Sequence, residues 1–315
     1  MRSVQFLVFF SIVILIYGLV NFYIYRHGMM ALPQGMTFRR WYPWIFLFLS
    51  ASYIIGRVLE RVWISPVSTF FTFVGSFWLA LMVYFLMAVL VIDLVRLILF
   101  ILPGKPHFAA ANYTEIKKYL FFGITALVSL VVLAGHINAI TPRVTRLDLK
   151  IAKKAGSMKT LHIAAASDIH MGTLVGPRRT AQLVRMLNER KADIILLAGD
   201  IVDEDLAPVI RYDLGRSLLK LKAPLGVYAI TGNHEYIGGA EAAVKYLGEH
   251  GVKMLRDTAV LVNESFYLAG RNDRDSRRFS AKERKDLKRI LQDVNFNLPV
   301  LLMDHQPFNL QQVAD

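Results

Sequence analysis

Four apolar runs, near Phe6 to Tyr25, Trp44 to Leu59, Phe70 to Ile92 and Tyr119 to Ile140, constrain this chain more than any other feature of it. A bilayer's hydrocarbon core is about 30 Å thick and takes roughly 20 helical residues to cross. Residues 1–142 hold only 10 Lys+Arg and 3 Asp+Glu, whereas residues 143–315 hold 27 and 21, so the first part alone is poor enough in charge to sit in lipid. The expected organisation is a membrane region of about four helices over residues 1–142, a basic juxtamembrane linker over 143–158 and a folded domain over 159–315. With 55% hydrophobic and 19% charged residues, the whole chain is not a disordered one. It has no cysteine, which excludes a disulfide scaffold, a thiolate metal site and a cysteine nucleophile.

The first apolar run follows Arg2 like a secretory signal, but it is longer than a signal's apolar core and Tyr17 to Phe22 offers no small-residue cleavage site, so it reads as a retained anchor. Trp41, Tyr42 and Trp44 beside Arg39 and Arg40 look like an interface belt. The stretch from Val67 to Leu102 exceeds one span, and its end carries Asp93 and Arg96 at a spacing that lets them pair. Their place near an edge favours an interfacial ion pair over a proton relay. An even number of spans puts the N-terminus and the second half on one side. That side has 8 flanking Lys or Arg against 7 on the other, and five of them come directly after the last span, which leans the domain toward the cytoplasm.

From Lys159 the pattern becomes short apolar runs alternating with helical periodicity. Leu161–Ala166, Ile194–Ala198, Val227–Ile230 and Val300–Met303 read as buried strands. Helices are expected near Pro177–Arg190, Leu206–Lys222, Gly239–His250 and Ala281–Asp293, the last with Ser280 as N-cap and Glu283 completing a capping box. Such alternation implies an α/β domain with a mostly parallel sheet covered by helices.

The residues just past each strand carry the chemistry. Ser167-Asp168-Ile169-His170 comes after the first, Gly199-Asp200-Ile201-Val202-Asp203 after the second, Gly232-Asn233-His234-Glu235 after the third and Asp304-His305-Gln306-Pro307 after the last. The steps from Asp168 to Asp200 and from Asp200 to Asn233 are each a little over about 30 residues, the length of one βαβ unit. The polar groups therefore leave the carboxyl ends of parallel strands, where open α/β sheets bind ligands. Carboxylate, imidazole and amide donors suit Mn, Fe, Zn or Mg. Two such cations about 3.5–4 Å apart stabilise attacking and leaving oxygens and make hydroxide available near neutral pH, which is the chemistry of phosphoester hydrolysis. Each motif alone is common: Gly-Asp after an apolar run is often a strand end and turn. Their joint order and spacing is what points to a metal centre.

Residues 159–315 resemble the calcineurin-like metallophosphoesterase superfamily through these four segments, and the multispan N-terminus resembles its membrane-anchored bacterial YkuE-like branch. The resemblance implies a two-sheet βαβ sandwich in which Asp168, His170 and Asp200 bind one metal, and Asp200, Asn233 and His305 the other, with Mn favoured. His234 would stabilise the transition state or protonate the leaving oxygen, and Asp203 would orient rather than ligate. It also implies an integral protein of a bacterial inner or plasma membrane. Members of the family continue to a Gly-His-x-His segment that supplies a further ligand to each metal. That segment is absent here, so the expectation is a C-terminally incomplete domain with impaired metal affinity and activity as it stands.

Arg271 to Arg289 contains nine basic residues against four acidic ones. The plain reading is a solvated loop and helix face. The functional one makes Arg271, Arg274, Arg277 and Arg278 contacts for anionic headgroups, each nearby base adding about 1 kcal/mol. Nucleic acid is not expected, because only Phe279 interleaves the charges. The leading expectation is a membrane-anchored, metal-dependent enzyme that hydrolyses a phosphodiester or pyrophosphate, with a lipid-linked substrate and the bilayer as partner. The alternative is a metal-poor domain acting as a membrane-tethered interaction module. A transport role for the spans is disfavoured by their few buried charges.

Overall fold

The computed structural model of the protein describes residues 2–101, 113–280, 283–308, 311 and 313. The chain divides into two units, Met1–Val144 and Thr145–Asp315, each with its own core.

The first unit holds α1 (Arg2–Ala31), α2 (Thr37–Val62), α3 (Pro66–Ile101) and α4 (Tyr113–Ala139). All four are long and apolar enough to cross a membrane. They run past the ends of the apolar stretches because their polar flanks also form good helix. Breaks come where the backbone demands them: α1 ends just before Pro33, and α3 starts with Pro66 at its first position. There Ser65 and Ser68 cap each other, Ser68 N–H donating to Ser65 Oγ at 3.3 Å and Ser65 N–H to Ser68 Oγ at 2.9 Å.

Small residues let α2 and α3 approach closely. A Cβ on Gly56 would lie 2.5 Å from the Thr72 nitrogen, and one on Gly75 would lie 2.3 Å from the Tyr53 Cα. Such contact replaces the hydrophobic drive that lipid cannot supply between helices. Large apolar side chains such as Leu7, Leu19 and Phe100 point outward and are more than half exposed, a surface that water would not tolerate but hydrocarbon does. The Asp93–Arg96 pair is present at 3.4 Å. It also gathers groups from α1: Tyr23 Oη donates to Asp93 at 2.5 Å, and His27 Nε2 lies 3.1 Å from it.

The second unit has three layers. β1 (Ile163–Ala166), β2 (Ile194–Ala198), β3 (Val227–Ile230) and β4 (Lys253–Met254) form one all-parallel sheet in that order. β5 (Thr258–Val262), β6 (Phe266–Gly270) and β7 (Val300–Met303) form the second, with β5 antiparallel and β7 parallel to β6. Alternation along β2 shows how the layers stack. Ile195 and Leu197 pack with Val184, Leu187 and Leu247 of the helical layer, while Ile194 and Leu196 pack with Phe266, Leu268 and Met303 of the second sheet. Buried on both faces, β2 needs the unbroken apolar run its sequence has.

The helices on the first sheet are α5 (Pro177–Glu189), α6 (Leu206–Arg211), α7 (Gly215–Leu218), α8 (Asn233–Gly238) and α9 (Ala240–Glu249). Two short helices, α10 (Ser276–Ser280) and α11 (Leu287–Ile290), lie between β6 and β7.

Two helix expectations are corrected. Leu206–Lys222 is not one helix: Asp213 adopts φ 50°, and the Gly215 N–H leaves the helical ladder to donate to Tyr246 Oη at 2.9 Å. Nor does a helix run over 281–293. Ser280 ends α10 instead of capping a helix, residues 281 and 282 lie outside the described set, and Arg284 and Lys285 are drawn onto Asp304 and Asp257. Asp286 then caps α11 by accepting from Lys288 N–H. Gln306 to Asp315 also reads from the sequence as the start of a helix, and residues 309, 310, 312, 314 and 315 of it lie outside the described set. Val300–Met303 is a strand, but of the second sheet.

Candidate metal centre

Because β1, β2 and β3 are parallel, the loops at their carboxyl ends open on one edge, and β7 delivers His305 to the same place. Ligand atoms of Asp168, Asp200 and His305 lie within 4.8 Å of one another, and so do those of His170, Asp200 and His234. Asp200 belongs to both groups. It is also the buried member, at 3% exposure.

The backbone is bent to achieve this. Asp168, His170 and Asp200 have φ of 53°, 50° and 50°. That is the left-handed region, which costs a non-glycine residue about 1–2 kcal/mol. Hydrogen bonds hold the bends: His170 N–H donates to Asp200 O at 2.9 Å and Met171 N–H to Ile201 O at 2.9 Å, so the two loops continue the parallel pairing past the strands. Two glycines make room. A Cβ on Gly199 would meet the His305 ring at 2.7 Å, and one on Gly232 would meet Asp200 Oδ1 at 2.1 Å.

Second partners fix the imidazoles. His305 Nδ1 donates to the Ala198 carbonyl at 2.8 Å, leaving Nε2 facing Asp200 Oδ2 at 3.3 Å. His234 Nδ1 donates to Asp203 Oδ1 at 3.2 Å, which turns Nε2 away from Asp203. The His170 and His234 rings meet edge-on with centroids 4.4 Å apart. Burial pushes the Asp200 carboxyl up, but the His305 hydrogen bond, the His234 N–H and the nearby imidazoles outweigh it and hold Asp200 below the usual carboxylate range. The hydrogen bond to Asp200 raises His305 to about 9, against the opposing effect of burial.

These values give a pH prediction. A raised histidine stabilises the metal-free fold below its ordinary 6.5, and that contribution is lost as pH climbs through about 9. Metal binding needs the same nitrogen deprotonated. The melting temperature of the metal-free protein should therefore fall between pH 6.5 and 9 while its affinity for Mn rises. Parallel thermal melts and Mn titrations at about pH 6.5, 7.5 and 8.5 check both slopes; an affinity flat across that range would be inconsistent with it.

All the expected ligands and both of their helpers fall at this edge, with one difference in grouping. The resemblance places Asp168 and His170 with Asp200 on one metal and Asn233 and His305 with Asp200 on the other, whereas the carboxylates and imidazoles within 4.8 Å of one another form the sets Asp168, Asp200, His305 and His170, Asp200, His234. Asn233 is half-buried at the start of α8, and its Oδ1 accepts from Gln306 Nε2 at 2.8 Å. Carboxylate and imidazole donors this close, with no sulfur among them, fit borderline or hard divalent cations.

Among the basic residues, Arg271 is corrected. It turns inward onto Asp304 at 3.1 Å with its side chain 11% exposed, and Arg284 binds the other Asp304 oxygen at 2.9 Å. The two arginines clamp the strand end that carries His305. Arg274, Arg277 and Arg278 remain exposed, Arg274 over the Phe308 ring at 4.4 Å. Gln306, Asp304 and Glu235 join the site without having been assigned a role in it from the sequence. Asp304 and Glu235 carry a visible signal, being acidic residues immediately beside expected ligands.

Comparison with known proteins bears on the same residues. Residues 161–314 match the family described as calcineurin-like phosphoesterase. An "Uncharacterized metallophosphoesterase" of Aquifex aeolicus is 30% identical over 173 residues, 55% of this chain and 65% of that one. A "Transmembrane protein with metallophosphoesterase domain" of Danio rerio is 28% identical over 60% of this chain and 45% of its own. The "UDP-2,3-diacylglucosamine pyrophosphatase LpxG" of Chlamydia muridarum is 24% identical over 61% of this chain and 59% of its own. The matched part of the chain thus spans less than two thirds of the length of each of these three.

Proposed function

Residues 161–314 form a calcineurin-like phosphoesterase domain, and on that premise we propose that the protein is a membrane-anchored hydrolase of a phosphodiester or pyrophosphate whose substrate is lipid-linked. The observation that carries the reading is the convergence of Asp168, His170, Asp200, His234 and His305 around one buried carboxylate. Asp168, His170, Asp200, Asn233 and His305 would hold two divalent cations, Mn favoured. The chemistry such ions supply when bound is Lewis acidity toward water and the phosphoryl oxygens.

The chain's own groups do the rest. Asp200 stays ionised across the working pH range because its carboxyl is held low, so it can serve two cations with two oxygens. His234 is kept in one orientation by Asp203 and presents Nε2 to the reacting phosphoryl group, where it gives a proton to the leaving oxygen. Arg274, Arg277 and Arg278 supply positive charge beside the centre: Phe308, under Arg274, is only two residues from Gln306, which touches Asn233.

Support for a lipid-linked substrate comes from the four apolar helices and from the similarity to a relative named for a diacylated sugar nucleotide. Metal-stripped protein should regain hydrolysis of an aryl phosphodiester only on addition of Mn. With a lipid-linked pyrophosphate, replacing Arg274, Arg277 and Arg278 together by Ala should raise KM about tenfold and leave the soluble aryl ester unaffected, since the three bases contribute about 1 kcal/mol each at an anionic surface before screening. Equal KM values for the lipid would refute the headgroup assignment. For topology, a reporter fused after Lys154 should work in the cytoplasm, and activity only of an external reporter would reverse the orientation.

A further inference from the structure

Glu235 is fully buried at 0% exposure, one residue past His234 and turned the other way. Each of its carboxylate oxygens accepts two backbone N–H groups. Oε2 takes Asp200 N–H at 3.0 Å and Gly232 N–H at 2.7 Å, and Oε1 takes Ile201 N–H at 2.6 Å and Val202 N–H at 3.0 Å. The Gly232 bond is an ordinary helix cap, the acidic third residue of α8 reaching back to its start. The other three are not. They reach 33 to 35 residues back along the chain to the loop that carries Asp200.

We propose that Glu235 is a positioning residue of the metal centre: its carboxylate binds four N–H groups at once and locks the Asp200 loop to the loop carrying Asn233 and His234. The lock answers a specific need. Asp200 sits at φ 50°. That backbone state persists only where surrounding contacts over-determine it. Three consecutive N–H groups turned onto one anion supply that determination from inside the protein, before any cation arrives. Only glutamate meets the requirement. Glutamine has one acceptor oxygen, so its amide nitrogen would face two N–H donors, and aspartate is a methylene too short to span both loops.

This inference rests on the reading of Asp200 and Asn233 as metal ligands, and the experiment separates the two. In the purified full chain, Glu235→Gln should bind Mn about 10- to 100-fold more weakly than wild type by calorimetry. Its far-UV circular dichroism should be unchanged, and its kcat at saturating Mn should lie within about threefold, since a positioning group acts through the ligands. A folded Glu235→Gln that binds Mn within about twofold of wild type overturns the proposal. Wild type that takes up no Mn contradicts the ligand reading instead. Hydrogen exchange on metal-free wild type decides the matter even if the variant does not fold. The amides of Asp200, Ile201, Val202 and Gly232 should be as protected as those of Leu196 and Leu197, whereas rapid exchange that slows only on adding Mn would show that the cation orders the loop and Glu235 does not.

Discussion

Asp200→Asn should lower turnover by about a thousandfold, and the loss should come with the metal. Asparagine keeps the shape and one acceptor oxygen but replaces the other by an amide that repels a cation. Asp200 is shared by both ligand groups, is 3% exposed, and accepts from His234 N–H at 2.9 Å, so no other group among the described residues stands ready to take its place. His234→Ala should also cost about 10²- to 10⁴-fold, the range for removing a general acid, but with metal content retained. The contrast matters because a ring nitrogen of His234 lies within ligand range of His170 and Asp200. Steady-state rates and metal analysis of both variants check it. A His234→Ala protein that loses a metal would move His234 from proton donor to ligand.

Part of this is legible in the sequence, and the reasons are physical. The four spans can be read because hydrocarbon imposes a length and a charge limit on any helix crossing it. β2 and β3 can be read because strands buried on both faces need unbroken apolar runs, while β1 and β7 carry similar apolar runs although only Ala164 of β1 and Met303 of β7 are buried. The β5–β6 hairpin escapes such reading, since its turn, Asn263-Glu264, holds both residues at positive φ without the glycine that usually marks such a turn. The helix expected over 281–293 fails for a tertiary reason. Local capping chemistry at Ser280 and Glu283 is outweighed by Asp304 and Asp257, which capture Arg284 and the Lys285 N–H. Arg271 misleads in the same way: a charge run gives no sign of which member faces a buried carboxylate. Glu235 stands next to an expected ligand, yet its partners lie more than thirty residues upstream, and only the parallel pairing of β2 with β3 brings them together.

Gly232→Ala should be the most damaging substitution of a single small residue. The added Cβ would stand 2.1 Å from Asp200 Oδ1 and 2.5 Å from the Asp200 nitrogen, so the two ligand loops must part. Gly232 has φ −102° and ψ −170°, which alanine adopts freely, so the whole penalty is steric. Overpacking of this kind costs about 1–3 kcal/mol, and here it falls on the atoms that would bind metal. Stability should drop by that amount and Mn affinity by about 5- to 150-fold, one factor of ten for each roughly 1.4 kcal/mol forced into the ligand geometry. Gly248→Ala is the matching control. Among the described residues nothing lies within 4 Å of its Cβ position inside α9. A helical alanine there should stabilise by up to about 1 kcal/mol. Denaturant titration and Mn calorimetry of the pair measure both signs; a Gly232→Ala protein with wild-type affinity would mean the loops do not meet as described.

The central claim, that one buried aspartate organises a two-metal centre on a membrane-anchored domain, is tested most directly by counting metal. The full chain should be purified in detergent, stripped, brought to equilibrium with saturating Mn by dialysis, and its bound metal measured by elemental mass spectrometry against the dialysate. About two Mn per chain in the wild type and fewer than one in Asp200→Asn is the predicted result. The same content in wild type and Asp200→Asn, whether two or none, would contradict it.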